Sequence, residues 1–247
     1  MTRPFAVLLV VLFVGPAPLG RVRADPLYEG RAITTGTDLR ERPGGFARAL
    51  AEVLAKASGD PALRDDPRAA ALAAGDFVLD FAYTDRMAHM PRRDEQGSRD
   101  RPYDLLVRFD PARVDAALAA LGSAPWRGER PRVWVRVEVR GPRGAFPLTA
   151  DGHPDEPQRA ALLAAAERFG LPVALPPLDR VGEGAPPGTV PVYGVLEWRE
   201  DEAGWIGRWR LPHRGREARW EVRGVNFGAA FRDLVGGTAR VLSGKAP

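Results

Sequence analysis

Residues 103–140 read YDLLVRFDPARVDAALAALGSAPWRGERPRVWVRVEVR. Tyr103, Leu105, Val107 and Phe109 alternate with mostly polar neighbours, the period of a half-buried strand. Asp110 is placed to cap a helix, and Pro111 suits its first turn, where no backbone N–H is needed. Val114, Ala117, Leu118 and Leu121 recur at helical spacing and mark a buried stripe, and Gly122 suits the position after the helix end. The segment 123–130 then leads to a second strand. There Val133, Val135, Val137 and Val139 point one way, and Trp134, Arg136, Glu138 and Arg140 point the other. One strand–helix–strand unit thus closes a first domain, 25–122, and opens a second, 131–247, across the linker 123–130.

Outward from this unit, the chain begins with a leader. Arg3 supplies its positive end, Phe5–Val14 is an unbroken apolar run, and Val22-Arg23-Ala24 is a small-x-small cleavage pattern. This predicts a signal peptide over 1–24 and a mature start at Asp25. Gly15, Pro16, Pro18 and Gly20 interrupt the run well short of the ~20 apolar residues of a spanning helix. The expected location is the periplasm, with no integral span once the leader is removed. The chain has no cysteine, which excludes disulfides, thiolate nucleophiles and lipidated cysteine. The formal charge of +4 includes three leader arginines, so the mature chain carries +1 and gives no nucleic-acid signal.

In the first domain the patterns predict a strand over Leu27–Thr35 and a helix over Gly44–Ala57. The helix buries Phe46, Leu50, Val53, Leu54 and Ala57. A short helix runs from Asp66-Pro67 to Ala74. Phe77, Leu79, Phe81 and Tyr83 mark a strand pairing with Tyr103–Phe109 across a polar loop near His89–Arg101. The order is β-α-α-β-β-α. In the second domain Gly141–Gly144 is a turn. Asp155 opens a helix to Phe169 with Leu162, Leu163, Ala166 and Phe169 inward. Leu171–Leu175 is a short strand, and Pro176–Thr189 a Pro/Gly loop. Three strands follow as an antiparallel meander, about 191–198, 205–211 and 217–222, with Arg214-Gly215 as a tight turn. That turn sets Trp209 opposite Trp220 and Leu211 opposite Ala218, with Trp198 on the same face. Such an aromatic face reads as core. Asn226 caps the last helix, which Gly236-Gly237 weakens. The order is β-α-β-β-β-β-α, and the fold class is α+β, two small α/β sandwiches.

The sequence lacks the Gly-x-Ser-x-Gly elbow, the His-Glu-x-x-His helix and the phosphate-binding Gly-Lys-Ser/Thr loop. His89, His153 and His213 are isolated. Met87-Ala88-His89-Met90 carries soft ligands suited to Cu(I), but without a second cluster it reads as a strand end. Asp151–Glu156 lacks calcium-loop spacing. No catalytic, cofactor or metal residue is assigned, and no cofactor is expected. The ligand-cleft candidate is Asp179, which follows a strand where α/β sheets open a crevice.

Several segments together resemble the bacterial secreted family called Domain of Unknown Function 2066. They are the leader, Ala57-Ser58-Gly59-Asp60, Val107-Arg108-Phe109-Asp110-Pro111, Ala124-Pro125-Trp126 with Arg130-Pro131, Gly170-Leu171-Pro172-Val173 with Pro176 and Asp179, and Trp205-Ile206-Gly207-Arg208-Trp209. The resemblance implies an envelope location and no established activity. One departure is the loop Pro176–Thr189, where that family has a further helix. The expected function is a binding or scaffolding module whose partner is an envelope protein or polymer. The alternative is a hydrolase of an envelope polymer working through carboxylates such as Asp80, Asp85 or Asp179, which would have to be paired in a cleft.

Overall fold

The computed structural model describes residues 25–152, apart from 91–92, 95–96 and 99–100, and residues 156–245. The expected leader, His153 and the Asp155 cap lie outside the described residues. In chain order the elements are β1 (Glu29–Thr35), α1 (Arg42–Ser58), α2 (Pro67–Ala70), β2 (Val78–Asp85), β3 (Arg93–Asp94), β4 (Gly97–Ser98), β5 (Pro102–Phe109), α3 (Pro111–Ala120), β6 (Val133–Gly141), β7 (Gly144–Pro147), α4 (Glu156–Phe169), β8 (Val173–Ala174), β9 (Val190–Arg199), β10 (Gly204–His213), β11 (Arg216–Val225) and α5 (Phe227–Leu242). The class is α+β, as the patterns predict. Three strands lie beyond the expected orders: β3 and β4, which pair as a small hairpin, and β7.

The first sheet has the order β1-β5-β2, all antiparallel. Leu105, Val107 and Phe109 face α1 and α3 and are buried with Leu50, Val53, Leu54, Val114 and Leu118. Asp110 caps α3 as expected: its Oδ1 accepts from the Ala112 N–H at 2.9 Å and the Arg113 N–H at 3.3 Å. The second helix is shorter than expected, because the chain turns into a 3-10 segment at Ala74–Phe77. On β2 the expected inward row also breaks. A bulge between Val78 and Asp80 throws Leu79 out of register, leaving it 63% exposed on an edge strand.

The second sheet has the order β11-β10-β9-β6-β7, with β8 also paired to β6. Strands β9, β10 and β11 form the predicted antiparallel meander, and β9 returns parallel to β6. Arg214 (φ 50) and Gly215 (φ 73) both lie in the left-handed region, the backbone of a two-residue hairpin turn. Helices α4 and α5 cover the face bearing the four β6 valines. Along α4 the buried stripe is Leu162, Ala165, Ala166 and Phe169, the i, i+3, i+4, i+7 spacing. Leu163 therefore points outward, contrary to expectation, and is 47% exposed.

The tryptophan face is core. Trp209 pairs with Trp220 and is 2% exposed. Its ring lies across two glycines: a Cβ built on Gly194 or on Gly207 would stand 2.2 Å from it. The Gly236-Gly237 pair, which costs helix propensity, also has a packing reason. A Cβ on Gly237 would meet the Trp220 ring at 2.6 Å, and one on Gly236 would meet Phe169 at 3.0 Å. Trp198 stands opposite Trp205 on the same face, ring centroids 5.7 Å apart, edge to face. Inside this layer the Trp209 Nε1–H donates to Asp233 Oδ2 at 2.9 Å.

Burial raises the Asp233 carboxyl above its ordinary 3.8, opposed by the bond from the Trp209 indole N–H. A raised folded-state value favours folding below the unfolded pKa. That advantage is lost as pH rises through the folded value. Asp233→Asn keeps an acceptor for Trp209 and removes the charge. Its stability relative to wild type is expected to be higher at pH 7 than at pH 4, by urea melts at both. A variant that instead loses ground at pH 7 would show that the carboxylate outweighs its desolvation.

Helix α1 joins the two halves. Its Ala55 belongs to the second core, while its neighbours Leu54 and Ala57 belong to the first. Glu52 of α1 pairs with Arg168 of α4 at 3.1 Å. Among the described residues the helices lie between the two sheets, so the outer face of each sheet carries no helix.

The open face of the second sheet

The outward residues of β6, β9, β10 and β11 lie on the face opposite α4 and α5. Register places four of them in one transverse row: Arg136 is paired with Tyr193, Tyr193 with Arg210, and Arg210 with Arg219. The next row runs Glu138, Val195, Arg208 and Glu221 by the same pairings. The loop after β8 and the strand β7 wall one end. Together they form a groove of about 1220 Å³, lined by Arg136, Tyr193, Arg208, Arg210 and Arg219 with Phe146 and Val181 at the wall.

The two rows differ in charge. In the second, Arg208 donates to Glu197 at 3.0 Å and to Glu221 at 2.8 Å, so carboxylates flank it across neighbouring strands. These bonds hold Arg208 charged and lower the Glu221 carboxyl, whose first cause is its bond from Arg223. In the first row there are three guanidiniums, and one carboxylate is shared by two of them. Glu217 accepts from Arg210 at 3.3 Å and from Arg219 at 2.6 Å. Arg136 has no carboxylate partner among the described residues; it donates to the Val181 carbonyl at 2.7 Å and so ties down the loop. Tyr193 lies between two cations, with the Arg210 guanidinium 4.3 Å from its ring centroid and that of Arg136 at 6.0 Å.

Asp179 is exposed in the 3-10 turn Leu178–Arg180. Its loop does border the groove, but through Pro176 and Val181. The three candidate hydrolase carboxylates are not brought together. Asp80 and Asp85 stand on opposite faces of β2, by parity, and each is engaged locally. Asp80 pairs with Arg108. Asp85 accepts from the Met87 N–H at 2.8 Å and pairs with Arg101 at 3.4 Å. Met87-Ala88-His89-Met90 forms a turn whose Met87 and Met90 carbonyls receive the Arg101 guanidinium. Among the described residues no group of three or more His, Asp or Glu side chains is placed to hold a metal ion. Nor is any described helix long and apolar enough to cross a membrane.

A smaller cleft of about 350 Å³ lies between the first half and the joining segment, lined by Tyr28, Trp126, Arg127 and Arg130. Its polar groups are turned to neighbours. The Tyr28 hydroxyl donates to Asp115 at 2.9 Å, and burial with that bond pushes it up to about 12. Lys56, beside the lining residue Ala57, donates its Nζ–H groups to the Pro26 and Glu29 carbonyls, and burial brings its ammonium down to about 8.

Residues 22–127 match the family model described as Domain of unknown function (DUF8605). This corrects the resemblance to Domain of Unknown Function 2066. The segments behind that resemblance are local devices that unrelated α+β chains share. Asp110-Pro111 is a helix cap, and Gly170 (φ 57) follows a helix end. The match covers under half of the chain and ends within the segment joining the two sheets, so the second sheet and its groove lie beyond it. No curated protein and no solved structure matches the chain.

The arginine–tyrosine row has no signature in the sequence as a whole. The outward parity of Arg136 is legible from the valine alternation. Its alignment with Tyr193 and Arg210 depends on the parallel β6–β9 register, which no local pattern encodes.

Proposed function

We propose that this protein is a binding module of the cell envelope and that the open face of its second sheet is the binding surface. The observation that carries the reading is the row Arg136–Tyr193–Arg210–Arg219 along a groove with an excess of cations. Arg210 and Arg219, directly opposite on the sheet, have Glu217 as their one shared counter-charge, and Arg136 has no carboxylate partner among the described residues. The periplasmic location rests on the leader pattern: Arg3, the Phe5–Val14 run and Val22-Arg23-Ala24.

The test is photocrosslinking in cells that export the protein. Tyr193 is replaced by benzoylphenylalanine, and Leu39, exposed on the first half, serves as the control position. An ultraviolet-dependent adduct from position 193 and none from position 39 is expected, on a chain whose N-terminus is Asp25. Equal labelling from both positions, or none, would remove the open face as the binding surface.

A further inference from the structure

The geometry points to a carboxylate-bearing glycan strand, lying across the β-strands, as the ligand of the open face. This rests on the preceding reading and adds the ligand class. Three guanidiniums, Arg136, Arg210 and Arg219, stand in one row with the single carboxylate Glu217 between two of them. Each guanidinium has five N–H donors. Arg136 donates one bond to Val181 and Arg210 one to Glu217, which leaves donors for an anion. Guanidiniums match carboxylates in a two-bond fork, which favours carboxylate over a neutral sugar.

Direction follows from the register. The row crosses four strands about 4.8 Å apart, so its cations repeat along a line perpendicular to the strands. A peptide adding itself to the sheet would run along an edge and bond through its backbone. Here the cations are on the face, and the edge strand β11 carries Arg216, Glu217, Arg219, Glu221 and Arg223, the charged pattern that discourages such pairing. A lipid surface calls for protruding apolar side chains beside the cations. The groove instead sets Tyr193 half-buried between Arg136 and Arg210, and Phe146 at its wall is half-buried against the core. A chain of linked acidic sugars presents carboxylates in series and ring faces between them, which fits an Arg–Tyr–Arg–Arg line.

The experiment is calorimetric titration of the mature protein with an alginate hexasaccharide, with maltohexaose and a glutamate hexapeptide alongside. Binding of the alginate oligomer alone is expected, weakened by raising the salt from 50 to 200 mM. Arg136→Gln and Arg210→Gln should each weaken it about tenfold or more, the loss of a charged hydrogen bond. Arg210→Lys should recover only part, since it keeps the charge without the fork. Thermal melts establish that each variant is folded; Arg140→Gln, outside the row, serves as a second surface variant and should bind like wild type. No alginate binding by the folded wild-type protein overturns the inference, as does equal binding of the glutamate peptide or of maltohexaose. If position 193 still crosslinks an envelope component in that case, the binding face stands and only the ligand class falls.

Discussion

Trp209→Ala is expected to cost about 3–5 kcal/mol, most of a typical domain's stability, and to leave the protein insoluble or largely unfolded. The ring is buried between its sheet and α5, and no neighbour can fill its place cheaply. Beneath it are Gly194 and Gly207, which have no side chains to expand into the space. Above it, Asp233 would lose the indole N–H that offsets its burial. A cavity and an unpaired buried carboxylate add in the same direction. The converse change tests the same packing from below. Gly207→Ala sets a methyl 2.2 Å from the ring, and strand neighbours prevent retreat. Overpacking of this kind costs about 1–3 kcal/mol. Urea denaturation of both variants is the measurement. A folded Trp209→Ala protein of near wild-type stability would remove the tryptophan face from the core.

That packing shows where the sequence is informative and where it stops. The alternation of Val133, Val135, Val137 and Val139 and the cap at Asp110 are local, and both appear as expected. So does the facing of Trp209 and Trp220, because a two-residue turn at Arg214-Gly215 fixes register over a short hairpin. The role of Gly194 beneath Trp209 is not local, since it needs the pairing of β9 with β10. The strand Gly144–Pro147 is four residues long, has no alternation and ends at a proline, so only its pairing with β6 reveals it. Leu163 illustrates a different limit. An apolar residue beside Leu162 fits either edge of a helical stripe, and the neighbours of α4 determine which edge is buried. The candidate site belongs to the non-local class entirely: Arg136, Tyr193, Arg210 and Arg219 come from four strands and meet only through register.

The second large effect is expected at Arg130, in the segment 123–130. Its guanidinium donates to the Lys56 carbonyl at 2.7 Å and to the Phe169 carbonyl at 2.8 Å. Those carbonyls lie in the last turns of α1 and α4, where helix ends carry partial negative charge and lack internal partners. One cation thus satisfies the ends of two helices from the two halves, while its plane stacks 4.4 Å from the Trp126 ring centroid. Burial brings the guanidinium down to about 10, so it remains charged at neutral pH without a carboxylate bonded to it. Other bonds fasten the same segment: Trp126 N–H donates to the Ala57 carbonyl at 2.8 Å, and Lys245 Nζ to the Ser123 hydroxyl at 2.6 Å. Arg130→Ala removes charged bonds worth about 1.5–3 kcal/mol each and strands carbonyls of both helices, so a loss of about 3 kcal/mol or more is expected. Arg130→Lys should restore little, because a single ammonium cannot reproduce the fork or the stacking. Arg127→Ala is the contrast, since its pair with Asp115 is exposed on the arginine side and should be worth under about 1 kcal/mol. Urea melts of the three variants decide the matter. An Arg130→Ala protein within about 1 kcal/mol of wild type would mean that the two halves are held by α1 and its contacts with α4, and that the buried cation adds nothing.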